Sequence, residues 1–221
     1  MKRLLLTIGI LCFYSGIYSQ NIDFEWIHSL NQIDETRDFS TIISITTTYT
    51  AVAVPVTMGV AALIDNNDEL LKNSIYILAA SAVTGILTQG IKHTVKRPRP
   101  FDDSAYPYEI IRYDKYDKYE NVGHSPSFPS GHTSFAFATA TALTLKYPRW
   151  YVIVPSYVWA CSVGYSRMNL GVHYPSDVAA GAVLGAGSAY LTYLVNEWFW
   201  GKTGNRKILT DKNKTIAEVW F

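Results

Sequence analysis

Five stretches of the chain carry no Asp, Glu, Lys or Arg: Thr41–Ile64, Ser74–Ile91, Ser130–Leu145, Trp150–Ser166 and Val178–Asn196. At 1.5 Å per residue, Thr41–Ile64 extends about 36 Å as a helix, enough for a hydrocarbon core of about 30 Å. Thr46, Thr47, Thr48 and Thr50 dilute its hydrophobicity, but threonine hydroxyls can bond the preceding helical turn. Ala79, Ala80, Ser81, Ala82 and Gly85 on the second run permit close helix approach. Charged residues make up 17% of the chain, against about 25% in soluble domains. The expectation is an all-α fold, a bundle of about five core helices that spans a membrane. A compact secreted helical domain is the alternative, since the third and fourth runs are short for spans.

Residues 1–19 place Lys2 and Arg3 before an apolar run, with Ser19 before a cut at Gln20. They read as a signal peptide, or alternatively as a first transmembrane helix. Residues 20–40 form an interfacial lead-in, with Trp26, Ile27 and Leu30 on a short amphipathic helix at the membrane surface. Residues 41–200 form the bundle and 201–221 a polar basic tail. Cys12 falls in the leader, so no disulfide is available to the mature chain, and Cys161 reads as a small buried hydrophobe. A net charge of +1 gives no reason for a nucleic-acid partner. With an exported start, the Lys146–Arg149 turn and the basic tail face inward, as the positive-inside tendency prefers. The tyrosine-rich Tyr106–Tyr119 tract and the basic Lys92–Arg99 cluster then face outward, and the cluster needs a reason to be there.

That cluster reads K-H-T-V-K-R-P-R-P from Lys92 to Pro100. Two more groups fall at segment ends on the same side. Pro129–His132 reads P-S-G-H, with Ser130 suited to cap a helix and Gly131 to close backbone approach. Ser166–Asp177 reads S-R-M-N-L-G-V-H-Y-P-S-D. Its His173 and Asp177 suit an imidazole held in one tautomer, and its Arg167 suits phosphate oxygens. Pro175 and Ser176 are expected to start the last helix, which would make His173–Asp177 a loop-to-helix contact. Together the groups offer cationic side chains, a helix N-terminus and two histidines. No carboxylate cluster suggests a metal, and no cofactor is called for. This set equips phosphoryl transfer in which fixed positive charge meets the phosphate oxygens.

The pattern Lys-x6-Arg-Pro, Pro-Ser-Gly-His and Ser-Arg-x5-His-x3-Asp resembles the type 2 phosphatidic acid phosphatase superfamily. The motifs are complete, in order, over the 86 residues from Lys92 to Asp177. Spacing pairs Lys92 with Arg99; Arg97 has Gly90 at the matching position, which leaves Lys96 and Arg97 as extras. The resemblance implies that His173 attacks phosphorus, that Asp177 orients it, and that His132 protonates the leaving oxygen. It implies that Lys92, Arg99, Ser130, the Gly131 amide and Arg167 hold the phosphoryl oxygens. Ser166 belongs to the motif and reads equally as a helix cap or a supporting residue. His28, His93, His124, Tyr165, Asn169 and Tyr174 carry no catalytic claim.

The resemblance further implies a metal-independent hydrolase of lipid phosphate or diphosphate esters, acting through a phosphohistidine at the outer face of a bacterial-type inner membrane. Its partners would be the membrane and a phosphorylated lipid. A soluble periplasmic acid phosphatase and a vanadium-dependent haloperoxidase are the alternatives; membrane segments and small size count against the latter.

Overall fold

The computed structural model describes residues 22–102, 109–113 and 125–210, with side chains through residue 199. The signal-peptide segment, His124 and most of the Tyr106–Tyr119 tract lie outside the described residues. Among the described residues six α-helices follow one another: α1 over 22–31, then α2 (Arg37–Ile64), α3 (Asp68–Val95), α4 (Gly131–Lys146), α5 (Trp150–Asn169) and α6 (Pro175–Thr210). No strand occurs among the described residues. Helices α2 to α6 are the five expected from the uncharged runs. Helix α6 continues past residue 200, where the polar tail was expected to begin.

Local chemistry sets several boundaries. Asn67 caps α3, its Oδ1 accepting the Leu70 N–H at 3.0 Å. Helix α3 ends at Lys96 in the left-handed region, φ +51, and Pro98 cannot donate to a further turn. Pro175 opens α6, where its missing N–H costs nothing. Between α5 and α6, Gly171 turns the chain at φ +75. A Cβ there would sit 2.5 Å from the Ile111 carbonyl, so conformation and space both select glycine.

Helix α4 is the centre of the bundle and touches α2, α3, α5 and α6. Its Ala136, Ala138, Ala140 and Ala142 are fully buried. The closest approach is to α6: a Cβ on Gly185 would lie 2.1 Å from the Ser134 carbonyl oxygen, and one on Gly181 2.7 Å from that of Ser130. Two glycines four residues apart let the two backbones meet, the device of membrane helix pairs.

Polarity is inverted relative to a soluble bundle. Ser40, Ser44, Thr47, Ser81, Thr84 and Thr88 point inward and are buried, while Val52, Val56, Leu63, Ile86, Leu191 and Val195 point outward. Thr84 bonds within its own helix, donating to the Ala80 carbonyl at 2.7 Å, whereas the Ser40, Thr47 and Thr88 hydroxyls are buried without a hydrogen-bond partner among the described residues. So much large apolar side-chain surface is stable only against hydrocarbon. Helices α2, α3 and α6 are long and apolar enough to cross a membrane, and the protein is a membrane protein. Cys161 is a correction of the same kind: it is exposed on α5 rather than buried. In lipid, a small apolar residue gains nothing by turning inward.

Helix α1 forms as expected, but its inner face meets protein. Phe24 and Ile27 are buried against Ile110 and Tyr174, whereas Trp26 is exposed. The Asn31 side chain donates to the carbonyls of Ile111 (2.9 Å) and Asn169 (3.1 Å). The Asn169 amide donates back to Leu30 and Ile33.

Gly185→Ala is expected to cost about 3 kcal/mol through backbone overlap. Gly187→Ala, with open space around its Cβ position, should leave stability unchanged or raise it by up to about 1 kcal/mol. Thermal unfolding in detergent, followed by helical circular dichroism, compares the two.

Candidate active site

The C-terminal ends of α3 and α5 and the N-terminal ends of α4 and α6 meet at one end of the bundle, and all three sequence clusters lie there. They border a cavity of about 420 Å³. At its inner end stand Lys92 from α3, Arg99, Gly131 and His132 from the start of α4, Arg167 from α5 and His173 from the α5–α6 turn. Thr47, Thr48, Ala51 and Val52 of α2, Gln89 of α3 and Phe135 of α4 form the rest of the wall. Thr48, Val52 and Gln89 are exposed, so the cavity opens sideways between α2 and α3.

Each cation is held in place by the fold. The Lys92 ammonium donates to the carbonyls of Pro126 and Ser127. Arg99 Nε donates to the Ser125 carbonyl at 3.0 Å. Arg167 is buried and donates to Ser44 Oγ on α2. No acidic side chain is among the residues that line the cavity. Three cations and the α4 N-terminus therefore face one space, which suits an anion with several oxygens.

Other expected residues stand behind this wall. Ser130 occupies the N-cap position of α4 without capping it; its Oγ accepts from Thr133 at 2.9 Å. Its backbone N–H donates to the Asp177 carbonyl at 3.0 Å, tying the starts of α4 and α6 together. Ser166 donates to the Val163 carbonyl at 2.7 Å, a bond within its own helix. A Cβ on Gly131 would meet only Thr88, at 3.7 Å, so the bundle does not require glycine there and the cavity side supplies the reason. Asp177 lies in the first turn of α6, a loop-to-helix partner of His173 as expected, but Nδ1 and Oδ2 are 3.6 Å apart. That exceeds a hydrogen bond.

Three residues without a place in the spacing pattern fill this second layer. Ser127 lies between Asp177 and His173. Arg97 NH1 meets Asp177 Oδ1 at 2.8 Å, and its NH2 meets Asp23 Oδ2 of α1 at 3.0 Å. Asp23 Oδ1 also accepts the Ser176 N–H at 3.0 Å. The sequence signal was the surplus of basic residues in Lys92–Arg99, which held one arginine more than the pattern uses. Of the residues given no catalytic claim, Asn169 docks α1, Tyr165 bonds Thr36 at 2.7 Å, and Tyr174 lies beneath the Arg97 guanidinium at 3.9 Å.

A family model described as the PAP2 superfamily matches residues 73–200, and the chain belongs to that superfamily. It is 33% identical over 123 residues to the lipid A 1-phosphatase of Rhizobium johnstonii, covering 54% of this chain and 46% of that one. It is 32% identical over 140 residues to lipid phosphate phosphatase 1 of Arabidopsis thaliana, covering 53% and 42%. The chain thus spans about half the length of the curated relatives it matches. Its fold is that of a transmembrane PAP2-type phosphatidylglycerolphosphate phosphatase from Bacillus subtilis, with a TM-score of 0.67, 21% identity and coverage of 88% and 95%.

Burial, with Arg99, Lys92 and Arg167 nearby, holds His173 well below the usual histidine range. Its ring is neutral in the folded protein at pH values where the unfolded chain, near pKa 6.5, begins to charge. The unfolded state then binds the extra proton, so this residue's contribution is complete above about pH 7 and is lost as pH falls below about 6.5. The melting temperature of the wild type is therefore expected to fall between pH 7 and pH 5. A shallower slope in His173→Gln is the accompanying result, read from melts at matched ionic strength.

Proposed function

We propose that the protein is a metal-independent phosphatase of lipid phosphate or diphosphate esters. The observation that carries the reading is the shape of the cavity. One end gathers three cations and two histidines; the other opens through Ala51, Val52 and Phe135 to the lipid-facing side of α2 and α3. A phosphorylated lipid presents the same two chemistries in the same order. The names of the relatives, lipid A 1-phosphatase and lipid phosphate phosphatase 1, support that substrate class. A soluble acid phosphatase has no use for the outward apolar belt.

In this reading, Lys92, Arg99, Arg167 and the Gly131 amide hold the phosphoryl oxygens and stabilise the charge that develops on them. The Nδ1 side of His173 faces Ser127 and Asp177, which leaves Nε2 for the cavity. Its lone pair forms the N–P bond while the P–O bond to the lipid breaks, and His132 gives the leaving oxygen a proton. Water, relieved of a proton by His132, then attacks the phosphohistidine. The N–P bond breaks and inorganic phosphate leaves. Ser130 and Ser166 act through the backbone of α4 and α5, and Asp177 through His173. Reading Lys2, Arg3 and the apolar run after them as an export signal, with the basic Lys146–Arg149 turn on the inner side, places this end at the outer face of a bacterial-type inner membrane.

Purified protein is expected to release phosphate from detergent-dispersed lipid phosphates in EDTA. His173→Ala should lower turnover by about 10³-fold or more, and Arg167→Ala by about 10²-fold. Full activity in His173→Ala would refute the assignment. Val52→Trp, which fills the lateral mouth, should suppress hydrolysis of long-chain lipid phosphates while a short water-soluble phosphate ester is still cleaved. Equal loss on both substrates would count against lateral entry.

A further inference from the structure

Arg97 falls outside the pairing of Lys92 with Arg99, yet it is tied to the nucleophile's support at both ends. Its guanidinium donates to Asp177 Oδ1 at 2.8 Å and to Ser176 Oγ at 2.7 Å. Its own carbonyl accepts the Ser127 N–H at 2.8 Å. One residue therefore fixes both the carboxylate and the serine that separates it from His173. Ser127 is fully buried, and its carbonyl is held in turn by Lys92 at 3.4 Å.

With Asp177 ionised, the single proton of the Ser127 hydroxyl sets the direction of both of its contacts. Ser127 Oγ gives it to Asp177 Oδ2 at 2.5 Å. The same oxygen lies 3.2 Å from His173 Nδ1, and it can only accept there. Asp177 Oδ2 also receives the Tyr174 N–H at 2.9 Å, so the carboxylate is occupied and stands 3.6 Å from the ring. We infer that Ser127 is a positioning residue for phosphoryl transfer: its hydroxyl, between Asp177 and His173, accepts the Nδ1–H and keeps the Nε2 lone pair free for phosphorus, while Arg97 anchors both Asp177 and Ser127. The inference rests on the phosphatase reading for its consequence and on the ligand-free geometry for its substance. A histidine without this acceptor exchanges between two tautomers, and in one of them Nε2 carries the proton and cannot attack. When the N–P bond forms, the Nδ1 proton stays on the ring. The new positive charge is then met through Ser127 by the carboxylate, with no proton transferred along the chain.

The test uses full-length protein in detergent with 15N-labelled histidine. His173 is assigned by its absence from the spectrum of His173→Ala. In ligand-free wild type, the ring should show a protonated Nδ1 and an unprotonated Nε2. In Ser127→Ala, that pattern should give way to a mixture of tautomers. Turnover should fall by about 100-fold, with KM within twofold. A protonated Nε2 in wild type would overturn the inference even if the variant failed to fold. So would an unchanged tautomer or unchanged kcat in a folded Ser127→Ala. The nitrogen spectrum needs no substrate, so it decides the relay independently of lipid hydrolysis. Failure of wild type to release phosphate would sink the phosphatase reading and leave the relay standing on its own spectrum.

Discussion

The approach of α4 to α6 is the contact on which the site depends. With Gly181 and Gly185 under the backbone of Ser130 and Ser134, the two helices begin side by side. The Ser130 N–H reaches the Asp177 carbonyl, so the support for the nucleophile and the segment bearing His132 share one anchor. Both helices present N-termini to the same end, and their partial positive charges add to those of Lys92, Arg99 and Arg167. A larger residue at position 185 would separate the helices and move His132 relative to His173. Geometry at that scale governs phosphoryl transfer, where positioning supplies most of the rate.

Lipid as solvent explains how a polar site survives inside this bundle. Hydroxyls on the inner faces of α2 and α3 are small and uncharged, so they bring no charge into the interior. Charge is concentrated where helices end, and at the site Lys92, Arg97, Arg99 and Arg167 are each tied to a carbonyl, a hydroxyl or a carboxylate. At the opposite end, Lys146 meets Glu197 at 2.7 Å and lies over the rings of Tyr76 and Tyr193. That pair joins the C-terminal end of α4 to α6, so α4 is tied to α6 at both of its ends.

The wall of the site was legible in the sequence because its residues are set by short-range spacing. Lys92 and Arg99 flank one helix end, Gly131 and His132 open another, and Arg167 and His173 bracket one turn. The second layer was not legible, because its partners meet only in three dimensions. Arg97 binds carboxylates 74 and 80 residues away, and Ser127 binds one 50 residues away. Spacing therefore left Arg97 as a surplus charge and assigned Asp177 a direct contact with His173 that Ser127 occupies. The bundle itself was readable from uncharged runs, with boundaries shifted by a few residues except at the end of α6, which runs on to Thr210. The burial of Cys161 was misjudged because a rule for water was applied to a surface that faces hydrocarbon.

The bonds from Asp23 to Arg97 and Ser176 also bear on the order of assembly. Asp23 and Ser176 are separated by 153 residues. At about 5–20 residues per second, synthesis takes roughly 8–30 s to bridge that interval. Helix α1 emerges first, yet neither Ser176 nor the Asn169 amide exists until the last helix pair is made. Arg97 becomes available earlier, but two of its partners, Ser176 and Asp177, arrive only with α6. The support for the nucleophile is therefore completed only with the first turn of α6, which supplies Ser176 and Asp177.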